Sequence, residues 1–531
     1  MLKTIRWTWM FAMLALAGLA AAQTTYYVND ATGSDTNAGT TPATAFKTIQ
    51  QGITLSSSGD TVMVADGTYS GPGNVALNYS SRDITVKSVN GPLVTIIDGG
   101  GTATGVQFVT GETAAVLDGF TIRNCKAETS FAPAQSGHGG AVRIDGNAGF
   151  VSVEIKNCIF SNNLAAGTTS GSFGRGGAVY AFLGGAVFTN CSFIDNKAEG
   201  NGPTGGAEGG AIYTIFGGVG LVGCTFTNNQ VVAAGTAATA GAAIWGDSAG
   251  IDANRCEFVA HEAQQGGAIY SNAGGAIDLK NCAFVNNEAT SGNGGGVLLL
   301  STIFNRFEGC TFARNIASGQ GGAVLVDSGS DLEVVNSIFW LNAATGGSSQ
   351  IHSDSTSASI SYSLIQGGVP AGVADGGNNI DQDPIFITNP SAGNPGDVRL
   401  DFGSPAVDVG DNSAVTTATD GDDNPRINEG VVDLGAYEQT VSPVQLIQDL
   451  KASVDALITG GATLPANGKP LKVKLDAAIA AIQNGNNPGA VSHLQAFINQ
   501  CNAMVNAKRL TRAQADELIN QAQAVIALLV P

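Results

Sequence analysis

The stretch from Gly176 to Asn196, GGAVYAFLGGAVFTNCSFIDN, contains both phrases that decide the fold: Gly-Gly-Ala-Val at its start and Cys-x-Phe-x-x-Asn at its end. The second phrase recurs as Cys158/Phe160/Asn163, Cys191/Phe193/Asn196, Cys224/Phe226/Asn229, Cys256/Phe258/His261, Cys282/Phe284/Asn287 and Cys310/Phe312/Asn315. A further copy places Ser337 in the thiol slot and keeps Phe339 and Asn342. With Cys125 at the head, the cysteines step by 33, 33, 33, 32, 26 and 28 residues. A period of about 20 to 50 residues marks a stacked-repeat architecture. The Gly-Gly phrase recurs ahead of most copies, at Gly209 to Ile212, Gly266 to Ile269 and Gly321 to Val324. Its distance to the following Phe is nearly constant, whereas the gap from Asn to the next Gly-Gly is long after Asn163 and short after Asn315. Insertions therefore leave the stack at one corner.

Counting back from the Cys slot, apolar and polar residues alternate: Val153/Ile155, Ile277/Leu279 and Leu332/Val334 against Glu154/Lys156, Asp278/Lys280 and Glu333. Period two means strands with one face in a core and one in water. Each unit has room for about three short strands and too little for the crossover helix of a βαβ unit, so a parallel coil is the remaining solution. In such a coil equivalent residues lie about 4.8 Å apart along one axis. Cys and Phe then form interior columns, and Asn forms a column that hydrogen-bonds from turn to turn. The 73 glycines suit a chain of many sharp corners.

These phrases resemble the repeats of chlamydial polymorphic outer membrane proteins and, more widely, right-handed parallel β-helix proteins of the pectin-lyase type. Tyr26-Tyr27-Val28-Asn29, Phe46-Lys47-Thr48-Ile49-Gln50 and Asp66-Gly67-Thr68-Tyr69 resemble the N-terminal cap of secreted bacterial β-helices. Asp383-Pro384-Ile385-Phe386, Gly403-Ser404-Pro405-Ala406, Asn424-Pro425-Arg426 and Val432 to Glu438 look like a choice-of-anchor Q closing segment. Leu510-Thr511, Gln514-Ala515 and Leu518-Ile519 are similar to the helical FIMAH module. The resemblance implies a mainly β solenoid followed by a small all-α bundle: a cap over 23–60, repeats over 61–380, a closing segment over 381–440 and helices over 441–531. Autotransporter-type relatives end in a membrane barrel, whereas this chain ends in amphipathic helices.

Residues 1–22 read as a secretory signal: Lys3 and Arg6, an apolar run from Trp7 to Leu19, then Ala20-Ala21-Ala22. No Cys stands at the cleavage point, and no second apolar stretch is long enough to span a bilayer. The expectation is an exported protein, secreted or held at the cell surface or outer membrane. The net charge is −19, and residues 443–531 are close to neutral, so the acidity lies in the solenoid. A field of that sign repels nucleic acid and anionic lipid. In the tail, Leu446/Leu450/Val454/Leu457, Leu471/Leu475/Ile479/Ile482, Val491/Leu494/Ile498/Cys501 and Ala515/Leu518/Ala522/Val525 each mark one helical face. Thr511 with Gln514 forms a capping box, and Asn487-Pro488 reads as a cap.

Four constellations carry candidate chemistry. The Cys column has an odd count and a Ser in its next slot, which favours inert core packing over a disulfide or metal array. An outward ladder reads Glu154, Val187, Gly220, Asp252, Asp278, Arg306, Glu333. Pectate-lyase-like enzymes hold calcium on carboxylates of such a wall beside a basic residue, so Asp252, Asp278 and Arg306 are either a lyase site or a charge ladder satisfying itself. Tyr180, Tyr213, Trp245 and Tyr270 follow the Gly-Gly phrase or its variant on four consecutive coils. If their neighbours point inward, the rings form an outward sugar-stacking platform; with the phase reversed they are core. Asp30, Asp35 and Asn37, and the 420–424 loop with Asp420 and Asp422, offer hard oxygen ligands suited to calcium, or are solvated turns. His138, His261, His352 and His493 are scattered, with His261 in an Asn-ladder slot. The functional expectation is adhesion or glycan binding through the solenoid wall and its edge loops at 164–175, 197–208 and 230–240. The alternative is a calcium-dependent lyase or a hydrolase of acidic polysaccharide.

Overall fold

The computed structural model describes residues 23–127, 137–235, 237–401, 403–428, 430–439, 443–459, 464 and 468–529. The expected leader at 1–22 lies outside them. Two compact units are present, Met1–Glu438 and Gln439–Pro531.

The first unit is a parallel β-helix. One coil runs through Val151–Lys156, Ile159–Ser161, Leu164–Ala166, Gly174–Arg175 and Val179–Phe182 before Gly184–Thr189 begins the next. Stacking coils builds walls of thirteen, eleven and ten strands, with seven- and four-stranded sheets formed where the long loops were expected. A long coil therefore has five strands where three were expected, because the Gly/Ala loops themselves pair from coil to coil.

The interior columns follow the phrase. Phe160, Phe193, Phe226, Phe258, Phe284, Phe312 and Phe339 stack with successive ring centroids 4.5–4.9 Å apart. Each stacked pair contributes about 0.5–1.5 kcal/mol beyond its area burial. The Nδ2 of Asn163 donates to Asn196 Oδ1 at 2.9 Å, and Asn196 to Asn229, Asn287 to Asn315 and Asn315 to Asn342 repeat the bond at 2.8–2.9 Å. Each Asn also donates to a carbonyl of the preceding coil, Asn163 to that of Ile122 and Asn196 to that of Phe160, so the buried corner leaves few backbone acceptors unpaired.

Glycine is less central to these corners than composition suggested. The residue before Cys and the residue before the ladder Asn both take left-handed φ, and Asn often fills them: Asn157, Asn190, Asn281, Asn162, Asn228 and Asn286 lie at φ 51–57°. Glycine is obligatory at the first position of Gly-Gly-Ala. Gly176 has φ 64°, and a Cβ there would sit 1.9 Å from the Val179 carbonyl oxygen.

All seven repeat cysteines and Cys501 are free and buried. Burial pushes the Cys125 and Cys501 thiols up to about 12, leaving little thiolate to react. The native protein is expected to resist a thiol reagent at all eight positions and to label at all eight once unfolded; rapid labelling before unfolding would contradict the packing role.

At the N-terminal end Thr25–Val28 pairs with Thr61–Val64, and helix Ile49–Leu55, capped by Thr48, buries Ile49 and Ile53 against the first coil. Residues 403–426 return along the eleven- and thirteen-stranded walls, where Asn281 donates to Thr417 and Thr419, and Thr416 donates to Glu308.

The second unit holds helices Pro443–Thr459, Lys469–Gln483, Asn487–Asn506 and Arg512–Leu529 around Leu450, Val454, Leu471, Leu475, Leu494, Phe497 and Leu518. Thr511 and Gln514 form the reciprocal cap. The other cap is Asn486, not Asn487, because it is the Asn486 side chain that accepts from the Gly489 amide. Among the described residues no helix is long and apolar enough to cross a membrane.

Candidate functional site

On the ten-stranded wall Val179 and Ala181 point into the core, so Tyr180 and Phe182 point away from it. Strand register then aligns two outward columns. Arg143, Tyr180, Tyr213, Trp245 and Tyr270 form one, and Asp145, Phe182, Ile215, Asp247 and Asn272 form the other. The four-stranded sheet adds a third, His138, Arg175, Glu208 and Ala240. The three columns enclose a cleft of about 530 Å³.

The outward rings do not make a stacking platform. Tyr180, Tyr213 and Trp245 are only 8, 3 and 8% exposed. His138 stacks on Tyr180 at 4.3 Å, Tyr180 on Tyr213 at 5.3 Å, Tyr213 on Trp245 at 4.5 Å and Trp245 on Tyr270 at 5.9 Å, all within 6° of parallel. Coil stacking turns each face onto its neighbour, and only the edges, with their hydroxyls and indole nitrogen, line the cleft.

The charged groups are paired. Arg175 Nε meets Glu208 at 2.8 Å, with the guanidinium 5.3 Å from the Tyr213 ring centroid, and Arg143 meets Asp145 at 2.5 Å. Burial and the two neighbouring arginines hold the His138 imidazole at a pKa of about 4, so it is neutral at physiological pH. Its buried Nε2 has no hydrogen-bond partner among the described residues. The Tyr180 and Tyr213 hydroxyls likewise bond to no described residue, and burial raises both phenols so that they remain donors.

Arg175, Glu208 and His138 were not among the expected site residues, yet a signal exists. Each stands immediately before a Gly-Gly pair, a slot that also holds Gln265, Asn293 and Gln320.

The other candidates are occupied. Asp252 and Asp278 do lie on adjacent strands with Arg306 next. Lys280 bridges the two carboxylates, at 2.5 Å from Asp278 and 3.9 Å from Asp252, while Arg306 donates to the Ala414 carbonyl and sits 3.4 Å from Glu308. The closing segment thus takes up the proposed basic residue, and Lys280 ties the two carboxylates together. Asp35 accepts from the Lys47 and Thr48 amides and the Thr48 hydroxyl, Asn37 donates to Ala45, and Asp30 does not join them in an acidic cluster. Asp420 accepts from the amides of Asp422, Asn424 and Glu438, and Asp422 is clamped by Arg399 at 2.6 Å. Their lone pairs staple turns, and among the described residues no His, Cys, Asp and Glu cluster is fit to hold a metal, so calcium is not assigned to either loop.

Solved structures with similar arrangements include pectate lyase Pel9A (11% identity, TM-score 0.38, covering 79% of this chain and 97% of that one). A rhamnogalacturonan lyase shares 14% identity at a TM-score of 0.35, covering 69% and 91%. The GH136 lacto-N-biosidase from Eubacterium ramulus shares 12% at 0.35, covering 62% and 68%. Likeness at this level leaves activity open. No curated protein matches the chain. Residues 447–527, which span most of the helical unit, match the FIMAH domain family.

Proposed function

We propose that this protein binds a neutral glycan in the cleft of the ten-stranded wall, as an exported binding or adhesion protein. One observation carries the reading: the buried His138 Nε2, which has no hydrogen-bond partner among the described residues, shares one cleft with Tyr180 and Tyr213, whose hydroxyls bond to no described residue. An orphaned buried polar group is costly, and a hydroxyl-rich ligand satisfies it while pairing with the two tyrosine hydroxyls. The cleft is also within the usual size of small-ligand sites, about 300–1,000 Å³. Its cations are already neutralised by Glu208 and Asp145, so a uronate would meet Asp247 without a free counter-charge.

Glycan-array screening followed by calorimetry on retained neutral oligosaccharides tests the assignment. Tyr213→Phe removes one hydroxyl and little volume, and Arg175→Met removes the cation that orients Glu208. Each is expected to weaken binding about tenfold, the loss of one hydrogen bond in a dry site. Unchanged affinity in both variants, or no retention by any neutral glycan, defeats the proposal.

A further inference from the structure

At the corner where the ten-stranded wall turns into the thirteen-stranded one, the cleft mouth continues onto an exposed apolar column. Val151 pairs with Gly184 and Gly185 with Gly218, which brings Phe150, Leu183 and Phe216 level on three consecutive coils. They are 63, 40 and 53% exposed. Leu183 and Phe216 hold φ of 51° and 53°, a conformation disfavoured for bulky side chains. The next coils fill that slot with Ser248, Ala273 and Ser301. Neither the backbone nor the solvent exposure explains the larger residues in these coils. Phe182, which lines the cleft, meets the Phe216 ring edge-on at 6.2 Å, so column and cleft are continuous.

We infer that Phe150, Leu183 and Phe216 form an outer subsite that stacks the apolar face of a sugar ring belonging to the same chain as the unit held in the cleft. The assignment rests on the glycan-binding reading and deepens it: the ligand is a neutral oligosaccharide of several units. Inside the cleft ring faces cover one another, whereas at the corner they meet solvent. Asp145 and Asp247 flank Phe182 and Ile215 on the adjoining wall and disfavour acidic sugars. A column three side chains long is narrow against the roughly 1,200 Å² that a stable protein interface buries, and it suits a chain of rings.

Titration calorimetry with xylan-, cellulose- and mannan-derived oligosaccharides, from disaccharide to hexasaccharide, is the test. The unmodified protein is expected to gain affinity with length. Phe150→Ser/Phe216→Ser is expected to lose about tenfold toward the hexasaccharide and nothing toward the disaccharide, while Phe216→Trp keeps the gain. Both positions are exposed, and circular dichroism melting verifies that the double variant folds. Equal affinity of the unmodified protein for all lengths overturns the outer subsite and leaves the cleft standing. A loss in the double variant that is uniform across lengths also overturns it, and no binding by the unmodified protein removes both readings. Concentration-dependent dimers that vanish on Phe216→Ser would instead make the column a self-contact.

Discussion

Replacing Arg426 with Ala is expected to destabilise the closing segment and the coils beneath it by about 3–5 kcal/mol, the usual result of stranding one half of a buried ion pair. Arg426 and Glu438 are each 1% exposed and meet at 2.6 Å. The other guanidinium nitrogen donates to the Gly435 carbonyl at 2.8 Å and to that of Asp433 at 3.2 Å, while Glu438 also accepts from the Asp433 amide. The guanidinium packs over Gly309, where a Cβ would come within 2.4 Å of it. Arg426 thus ties the 420–438 loop to a corner of the solenoid, and alanine leaves the two carbonyls without that donor and Glu438 without its counter-charge, holding only the Asp433 amide. The readout is native-state hydrogen exchange over 403–438, where amides should exchange at least a hundredfold faster, the lower end of that energy range. Coils far from Gly309 should be little affected, because repeats couple mainly to their neighbours. Pairing Arg426→Met with Glu438→Leu removes both charges and should recover much of the loss; failure to recover would show that the carbonyl bonds dominate.

Acid sensitivity centred on His261 is the second large effect. This residue interrupts the Asn ladder: Nδ1 lies 2.9 Å from Asn287 Oδ1, and Nε2 lies 3.2 Å from Asn229 Nδ2. Those partners assign the neutral Nδ1–H tautomer, donating to Asn287 and accepting from Asn229. Protonation would turn Nε2 into a donor facing another donor. Burial holds the imidazole at a pKa of about 4, against 6.5 for an ordinary His. Since the folded pKa is lowered, the unfolded chain binds the extra proton between pH 6.5 and 4. Stability is therefore full above pH 6.5, falls as pH drops toward 4, and is flat with respect to this group below that. The loss is about 3 kcal/mol. His138 adds a loss of the same sign over the same window. His261→Asn restores the residue type of the neighbouring coils and should remove the His261 share. Urea denaturation of both proteins at pH 7 and pH 4.5 isolates it, and parallel behaviour of the two would refute the tautomer argument.

The solenoid was legible because its repeat is local and redundant. Cys-x-Phe-x-x-Asn states, within one coil, which side chains face inward and where the corner lies, and identical neighbours then stack at the strand spacing. That rule was enough to expect the Phe column, the Asn ladder and the buried thiols, while the direction of Tyr180, Tyr213, Trp245 and Tyr270 hung on which way Val179 and its equivalents faced. It also exposed the four amphipathic helices, since a 3.6-residue period needs no information beyond its own segment.

What sequence alone could not decide depends on groups brought together from different coils or from the far end of the chain. Whether outward rings offer faces or edges is settled by stacking, which turned Tyr213 against Tyr180 and Trp245 and hid the faces. Arg175 and Glu208 meet although 33 residues separate them, because one coil rises a single strand spacing. Arg306 appeared free for chemistry until residues 403–426 returned over the wall and gave it the Ala414 carbonyl, a contact across 108 residues. Asp420 and Asp422 look like cation ligands until the local amides and Arg399 consume their oxygens. Periodicity reports which way a side chain faces; what occupies its polar atoms is a property of the folded surface, and only the tertiary structure holds it.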